Sequence, residues 1–552
     1  MKQSVTNLLN CILQSVRVIN EISMNSVYLS DIKSNEGFRE KTREIKALYE
    51  GMQEEDKNQF YIVINTEFQT EASIYIYLLS IMLTALHEPE ILNRIIQKVC
   101  EEQLELYLGV SLEYQLTVEI NKYYSLEKLY PARRRLHSLH SEQFIKEIEP
   151  PTVYIPYQRR NPNRIIVLAE QILGLNHAPT KIILEQCYAM QKELGMEVLL
   201  ISCPIEILNN NPPYWFDLCT ENYYDELNGN NILTYKEEKV FFNVRELNGG
   251  FGICYRDTVI CGRQIPFGRD NAEQLRNLLF GIYEYNPLFV YDTGCIHSLA
   301  DACGAFTTVV SGAMNYGLPV SNSQVLVSLT KKDALSVPGS DFSMLEDYGQ
   351  FVIREAFHFP LDKPQYKAER HQFQLSGEDF LVAIVGNRLS TELTDEFKIV
   401  LQQICLLDKR VKLLIIGTYS EYLNYFTEPV FQDRIYYMGY QRELTEIIGM
   451  ADLFLNPPRN GGGTSALIAL YAGVPVVTLP DGDVAGNVGK DFICRDRQEM
   501  ISTIKRYLTD KEFYQKQKEI GLEYTNKVAD FGAYMRKLID DVKEAIKLTE
   551  KV

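Results

Sequence analysis

Two series of short apolar runs, rich in β-branched residues and set apart by helix-length or turn-length stretches, restrict this chain to a narrow set of folds. The first series holds 164–169 (RIIVLA), 197–201 (EVLLI) and 287–291 (PLFVY), with 180–194 reading as a helix closed by Gly195. The second holds 380–385 (FLVAIV), 412–416 (KLLII), 434–438 (RIYYM), 453–456 (LFLN) and 475–479 (PVVTL). Strand, helix, strand at this spacing is the βαβ unit of a parallel sheet. Two such series predict an α/β protein with two Rossmann-like, doubly wound domains facing a cleft, and open parallel sheets bind ligands beyond the carboxyl ends of their strands.

The flanking sequence has a different texture. Up to residue 150 the apolar residues recur at helical spacing, as in Ile81, Leu83, Leu86, Ile91, Ile95, Ile96 and Val99, with a break at His87-Glu88-Pro89-Glu90. A mostly helical N-terminal domain is expected over 1–150, with a short strand entertained at 61–65 (YIVIN). Consecutive Pro150 and Pro151 remove backbone donors and mark the boundary. The first α/β domain is placed at 151–365, with an insertion on its sheet at about 209–266 that includes a hairpin-like piece at 239–244. The second is placed at 366–526, and 527–552 reads as an amphipathic helix crossing back to the N-terminal lobe.

At 552 residues the chain exceeds a single core, and 46% hydrophobic with 23% charged residues is a globular composition. A net charge of −17 argues against nucleic acid or an anionic membrane as partner. The apolar stretch 72–86 falls short of the roughly 18 to 20 residues of a membrane span and reads as a buried helix. The N-terminus has no signal-peptide core, so a cytoplasmic location is expected. The 11 cysteines lack metal-ligand or redox spacing and read as packed thiols. Arg133-Arg134-Arg135 and Arg159-Arg160 read as a solvated face in preference to an interaction surface.

The densest chemical signal is 451–480 (ADLFLNPPRNGGGTSALIALYAGVPVVTLP). A strand ends at Asn456, glycines 461–463 follow Asn460, and Thr464-Ser465 open a helix that stops at Gly473. Glycines let a backbone approach an anion, and the first amides of the helix with two hydroxyls can donate to a phosphate, so Gly461, Gly462, Gly463, Thr464 and Ser465 form a candidate pyrophosphate cradle. No lysine follows in the place a Walker A loop requires.

This run, with Arg434-Ile435-Tyr436, Gly439-Tyr440, Ala451-Asp452-Leu453 and 472–480, resembles the donor domain of GT-B glycosyltransferases, in particular the O-GlcNAc transferase family and its bacterial relatives. The resemblance implies that Thr464 and Ser465 hold a donor diphosphate and that Tyr440 and Gln441 contact uracil. It implies a UDP-sugar donor, with UDP-GlcNAc or UDP-glucose favoured, and no metal. There are departures. Retaining GT-B enzymes similar here carry two Glu where this chain has Asn460 and Ile468, so an inverting outcome is expected. The O-GlcNAc transferase family has a ribose-binding Asp at Ile468, for which Asp481 or Asp483 would have to substitute.

Asn387 and Arg388 follow the first strand of the second series, where a fixed guanidinium can stabilise the charge developing on a leaving nucleotide. His177, in the loop after the first strand of the first series, sits in a stretch (NHAPT) similar to the Asn-His-Pro-Thr of the O-GlcNAc transferase family. It is a candidate general base or phosphate ligand. Residues 292–297 (DTGCIH) end another strand and are candidates for touching acceptor or donor sugar.

A helical domain ahead of a GT-B core is also the layout of bacterial cytoplasmic protein glycosyltransferases, which favours a protein acceptor over a glycan. The competing reading is a catalytically inactive GT-B-like subunit that binds or chaperones a glycosylated or secreted partner. A nucleotide-sugar 2-epimerase needs a set of acidic and histidine groups that the sequence does not offer. Sugar, acceptor and homo- or hetero-oligomeric state stay open.

Overall fold

The structure is a computed structural model that describes residues 2–23, 35–67, 72–102, 104–123, 126–170, 172, 178–205, 227–228, 232–235, 238–240, 243–247, 250–294, 297–330, 342–364, 366–419, 422–441, 444–459 and 461–550. The chain divides into two units. Met1–Val327, Met344–Val352 and Val542–Val552 make the first, Ser328–Ser343 and Ile353–Asp541 the second.

The first unit opens with helices Gln3–Ser23, Glu36–Glu50, Glu54–Glu67, Ala72–Leu86, Pro89–Glu102, Leu106–Tyr123 and Leu126–Ile148. The strand entertained at 61–65 is instead part of helix Glu54–Glu67. Phe60, Tyr61 and Ile64 share its buried face while Ile62 is exposed, and three acidic residues in the first turn complement the helix dipole. The breaks fall where expected: His87 and Glu149 take left-handed φ of 52° and 51°, each with a proline within two residues. Ala72–Leu86 is buried in this helical core, and no described helix is long and apolar enough to cross a membrane.

The arginine clusters are solvated only at Arg135 and Arg159. Arg133 and Arg134 are buried, with Arg134 donating to Asn322 Oδ1 at 2.7 Å and to the Ser321 carbonyl; Arg135 alone of the three faces solvent. Arg160 is buried too, donating to Thr308 Oγ1 at 2.8 Å and to Glu550 at 2.5 Å. Adjacent helical residues point about 100° apart, so a run of like charges need not share one environment.

A buried polar chain ties the helices to the sheet. His137, on helix Leu126–Ile148, lies between Glu113 Oε1 at 3.1 Å and Asp301 Oδ2 at 2.7 Å. Glu113 also meets His140 Nδ1 at 2.5 Å, and Asp301 accepts from Ser141, Ser321 and the Asn322 amide.

The sheet of this unit takes its parallel strands in the spatial order Val309–Tyr316, Phe289–Asp292, Arg164–Ala169, Glu197–Ser202, Thr258–Gln264. Gly250–Tyr255 and Asn243–Leu247 extend it antiparallel. The expected insertion therefore gives up its last part to the sheet proper, since Thr258–Gln264 pairs in parallel with Glu197–Ser202. The piece at 239–244 divides between strands Glu238–Val240 and Asn243–Leu247.

The second unit holds a five-stranded parallel sheet in the order Ile435–Gly439, Val411–Ile416, Phe380–Val385, Leu453–Leu455, Val476–Val477. Each expected run becomes a strand, with small shifts at the ends. Helix Asp395–Leu407, capped by Thr394 Oγ accepting from the Phe397 amide, packs Phe397, Leu401 and Ile404 on one face. Two helices follow near the end of the chain, Lys511–Val528 and Phe531–Thr549, the latter being the expected final helix.

His358 rests against the start of the second of these, stacked on Tyr534 with ring centroids 4.1 Å apart, its Nδ1–H donating to the Ala356 carbonyl at 3.0 Å. Burial pushes this imidazole down to about 4. The unfolded chain binds this proton first, so stability is intact above about pH 6.5 and falls as pH drops toward 4. We expect about 2 kcal/mol, less than the full shift because the residue is only partly buried. Urea unfolding of wild type and His358→Phe from pH 7 to 4 checks this. The variant should have the shallower acid slope, and parallel slopes would refute it.

Candidate active site

In the second unit the chain lays down Phe380–Val385, Val411–Ile416 and Ile435–Gly439 outward in one direction, then returns to the other flank for Leu453–Leu455 and Val476–Val477. The order reverses between Phe380–Val385 and Leu453–Leu455. The segments leaving these two strands diverge, which opens a crevice at their carboxyl ends.

From the first strand come Gly386, Asn387 and Arg388, the last two exposed. From the second come Asn456, the prolines and Arg459, then Gly461 and Gly462 at φ 107° and 87°, and helix Gly463–Tyr471. The first helical bond, Ala466 N–H to Gly462 O at 3.1 Å, leaves the amides of Gly463, Thr464 and Ser465 ahead of the ladder, at the positive end of the helix dipole.

Charge gathers at the same point. Glu392 Oε2 accepts from Arg459 Nη1 at 2.7 Å, and its Oε1 lies 3.3 Å from Arg388 Nε. Arg459 Nε donates to Asn456 Oδ1 at 2.8 Å, and Asn456 Nδ2 donates to Thr478 Oγ1 at 3.1 Å. The Arg459 side chain is 3% exposed and that of Arg388 66%. A Cβ built on Gly461 would lie 2.8 Å from Arg388 Nη2, so Arg388 reaches across the crevice to the glycine loop. Two guanidinium groups share one carboxylate. The excess positive charge at a helix start suits an anion.

The structure thus brings together Arg388, Gly461, Gly462, Gly463, Thr464 and Ser465, with Asn387 beside them. Tyr440 is 60% exposed just past Ile435–Gly439, and Gln441 Nε2 donates to the Met438 carbonyl at 2.6 Å. Both stand two strands from Phe380–Val385, roughly 10 Å at the usual strand spacing. Asp481 is exposed beyond Val476–Val477, on the opposite flank of the loop from Tyr440, so these two are not brought together. The Asp483 carbonyl lies 3.5 Å from a Cβ built on Gly463, and Ile468 is half-buried on the helix. Asn460 lies outside the described residues. Sequence reasoning missed Arg459 and Glu392; the spacing of Arg388 and Glu392, four apart, was the one available hint.

The first unit has its own reversal, between Arg164–Ala169 and Phe289–Asp292. His177 belongs to the segment leaving the former and lies outside the described residues. The latter ends on Asp292, whose Oδ1 accepts from His297 Nδ1–H at 2.7 Å and whose Oδ2 accepts from Ser311 Oγ at 2.9 Å. His297 is buried and its Nε2 has no hydrogen-bond partner. Burial pushes this imidazole down, but the Asp292 charge and hydrogen bond outweigh it and hold it above its usual value. An Asp that fixes the tautomer so that Nε2 is the proton-accepting atom is the arrangement of a general base and its orienting partner.

The family model of glycosyl transferases group 1 matches residues 380–510. Among solved structures, the chain is similar to a mutant of the O-GlcNAc transferase of Thermobaculum terrenum, at 18% identity over 100% of this chain and 99% of that one, with a TM-score of 0.48. It is also similar to Anabaena Alr3699/HepE in complex with UDP, at 11% identity over 69% of this chain and 99% of that one, TM-score 0.44. No curated protein matches the sequence. The matched segment, residues 380–510, contains the five-stranded sheet, both arginines and the glycine loop, and the chain is a glycosyltransferase.

Proposed function

We propose that the chain transfers a sugar from a UDP-sugar, UDP-GlcNAc or UDP-glucose by preference, to a protein acceptor. The observation that carries the reading is the convergence of Arg388 and the leading amides of helix Gly463–Tyr471 on Gly461 within the matched domain. Uracil rests near Tyr440 and Gln441, the diphosphate spans the glycine loop, and Thr464 and Ser465 donate their hydroxyls to it. The roughly 10 Å from Tyr440 and Gln441 to the end of Phe380–Val385, where Arg388 reaches to the glycine loop, suits a nucleoside diphosphate laid across the strand ends.

In the proposed reaction an acceptor oxygen or nitrogen attacks the anomeric carbon as the bond to the diphosphate oxygen breaks. The acceptor proton passes to a general base, for which His177 is the candidate. Negative charge grows on the departing UDP, where fixed guanidinium and amide donors stabilise it more than they stabilise the intact donor. Arginine charge replaces a metal in this scheme. A single displacement inverts the anomeric centre.

Half-buried Ile468, where related enzymes hold an acidic group, favours a second reading: a nucleotide-binding subunit without catalysis. Titration calorimetry with UDP and an assay of UDP release from UDP-sugars separate the two. We expect micromolar UDP binding by wild type and about a tenfold loss in Arg388→Ala, the usual worth of a charge-assisted contact. Absence of UDP binding at millimolar nucleotide would remove both readings, and binding without release in the presence of candidate acceptor proteins would favour the second.

A further inference from the structure

Arg459 was not among the residues expected to serve the donor, and its surroundings are unusual for a structural arginine. Its side chain is 3% exposed, yet only Nε and Nη1 are satisfied, by Asn456 and Glu392; Nη2 is buried with no hydrogen-bond partner. A buried guanidinium with an orphaned nitrogen is expensive, and apolar residues in place of a buried ion pair are often no less stable. Packing alone therefore does not account for it.

Its position does. A Cβ built on Gly386, at the end of Phe380–Val385, would lie 2.5 Å from Arg459 Nη1; one built on Gly462, across the crevice, would lie 2.5 Å from Nη2 and 2.8 Å from the guanidinium carbon. One planar cation is thus wedged between the two diverging segments, with the glycine loop seated on it. The carboxylate it holds, Glu392, is the same one that faces Arg388.

We propose that Arg459 is a positioning residue of the diphosphate site: it sets Arg388 through the shared Glu392 and fixes the shape of the glycine loop from beneath. The proposal rests on the donor reading above. Arg459 holds Glu392 at 2.7 Å from the buried side, so the second carboxylate oxygen keeps one orientation toward Arg388. The fixed charge below the loop also adds to the attraction felt by an anion lying above it.

The test uses the full chain as wild type, Arg459→Lys, Arg459→Met, Arg388→Ala and the double variant Arg388→Ala/Arg459→Met. UDP binding is read by calorimetry and uridine binding by ligand-detected NMR, with thermal unfolding followed in parallel. We expect Arg459→Met to weaken UDP about tenfold or more while uridine changes less than about twofold, because the lost interactions serve the diphosphate. Arg459→Lys should recover part of the loss, since it restores charge but not the planar fork. The double variant should lose less than the product of the single losses, because both arginines act through Glu392.

Wild-type UDP affinity in Arg459→Met, equal losses for uridine and UDP, or independent losses in the double variant would each overturn the proposal. Failure of the wild type itself to bind UDP would instead remove the donor reading on which it stands. Should Arg459→Met not fold, Arg459→Lys carries the same uridine-to-UDP comparison.

Discussion

His137→Ala is expected to lower the stability of the first unit by about 3 to 5 kcal/mol, the cost of stripping the partner from buried charges. Glu113, His137 and Asp301 are all buried, and Glu113 faces His140 as well as His137. Burial pushes the His137 imidazole down, but the charges of Asp301 and Glu113 and their hydrogen bonds overcome it and raise it to about 10. Glu113 is likewise disfavoured as an anion by burial, yet His137 and His140 bring it down to about 2. At neutral pH the site is a cation between two carboxylates.

Because the folded value for His137 lies above its unfolded value of about 6.5, the stabilisation is full below pH 6.5 and is lost as pH rises toward 10. The Glu113 contribution runs the other way, present above about pH 4.5 and lost as pH falls toward 2. Urea midpoints of wild type, His137→Ala and His137→Gln at pH 6 and pH 9 check the size of the loss and the His137 slope. Wild type should lose stability between these values and His137→Gln should lose much less of it. An alanine variant within about 1 kcal/mol of wild type would show that the charges find water or other partners. Asp301 sits on helix Ser298–Cys303, whose N-cap is His297, so this network adjoins the Asp292–His297 pair.

The two sheets could be read from the sequence because a strand covered on both faces must be apolar along its whole length. Phe380–Val385 and Arg164–Ala169 are such strands, buried over nearly every residue, and their limits match the apolar runs to the residue. Thr258–Gln264 alternates buried with exposed or half-exposed residues near the sheet margin, so it carried no such run and passed for part of an insertion. The stretch at 61–65 failed for the converse reason: β-branched composition suggested a strand, but its burial follows a 3.6-residue period and packing against neighbouring helices decided the outcome. Long-range polar pairs were invisible, as His137 and Asp301 are 164 residues apart. The glycine loop announced itself, but not the reason for its glycines, which is a side chain three residues away from Gly462 in sequence and pressed against it in space.

That reason makes Gly462→Ala a damaging small substitution at the donor site. Gly462 has φ 87°, where an L residue costs about 1 kcal/mol or more, and the new Cβ would stand 2.5 Å from Arg459 Nη2. The guanidinium cannot retreat: Glu392 and Asn456 hold it at 2.7 Å and 2.8 Å, and Gly386 closes the other side. The loop must move, and with it the amides of Gly463, Thr464 and Ser465 that precede the helical ladder. We expect UDP affinity to fall about 100-fold, equivalent to about 2.7 kcal/mol. Gly473→Ala supplies the comparison, because Gly473 ends the same helix at φ 77° but its Cβ would meet only Lys518 Cε, at 3.5 Å. Both variants bear the backbone cost, so both should unfold at lower temperature, while only Gly462→Ala should lose the nucleotide. Equal UDP affinities in the two would mean that the helix start does not hold the diphosphate, since the loop that presents it could then be displaced without consequence.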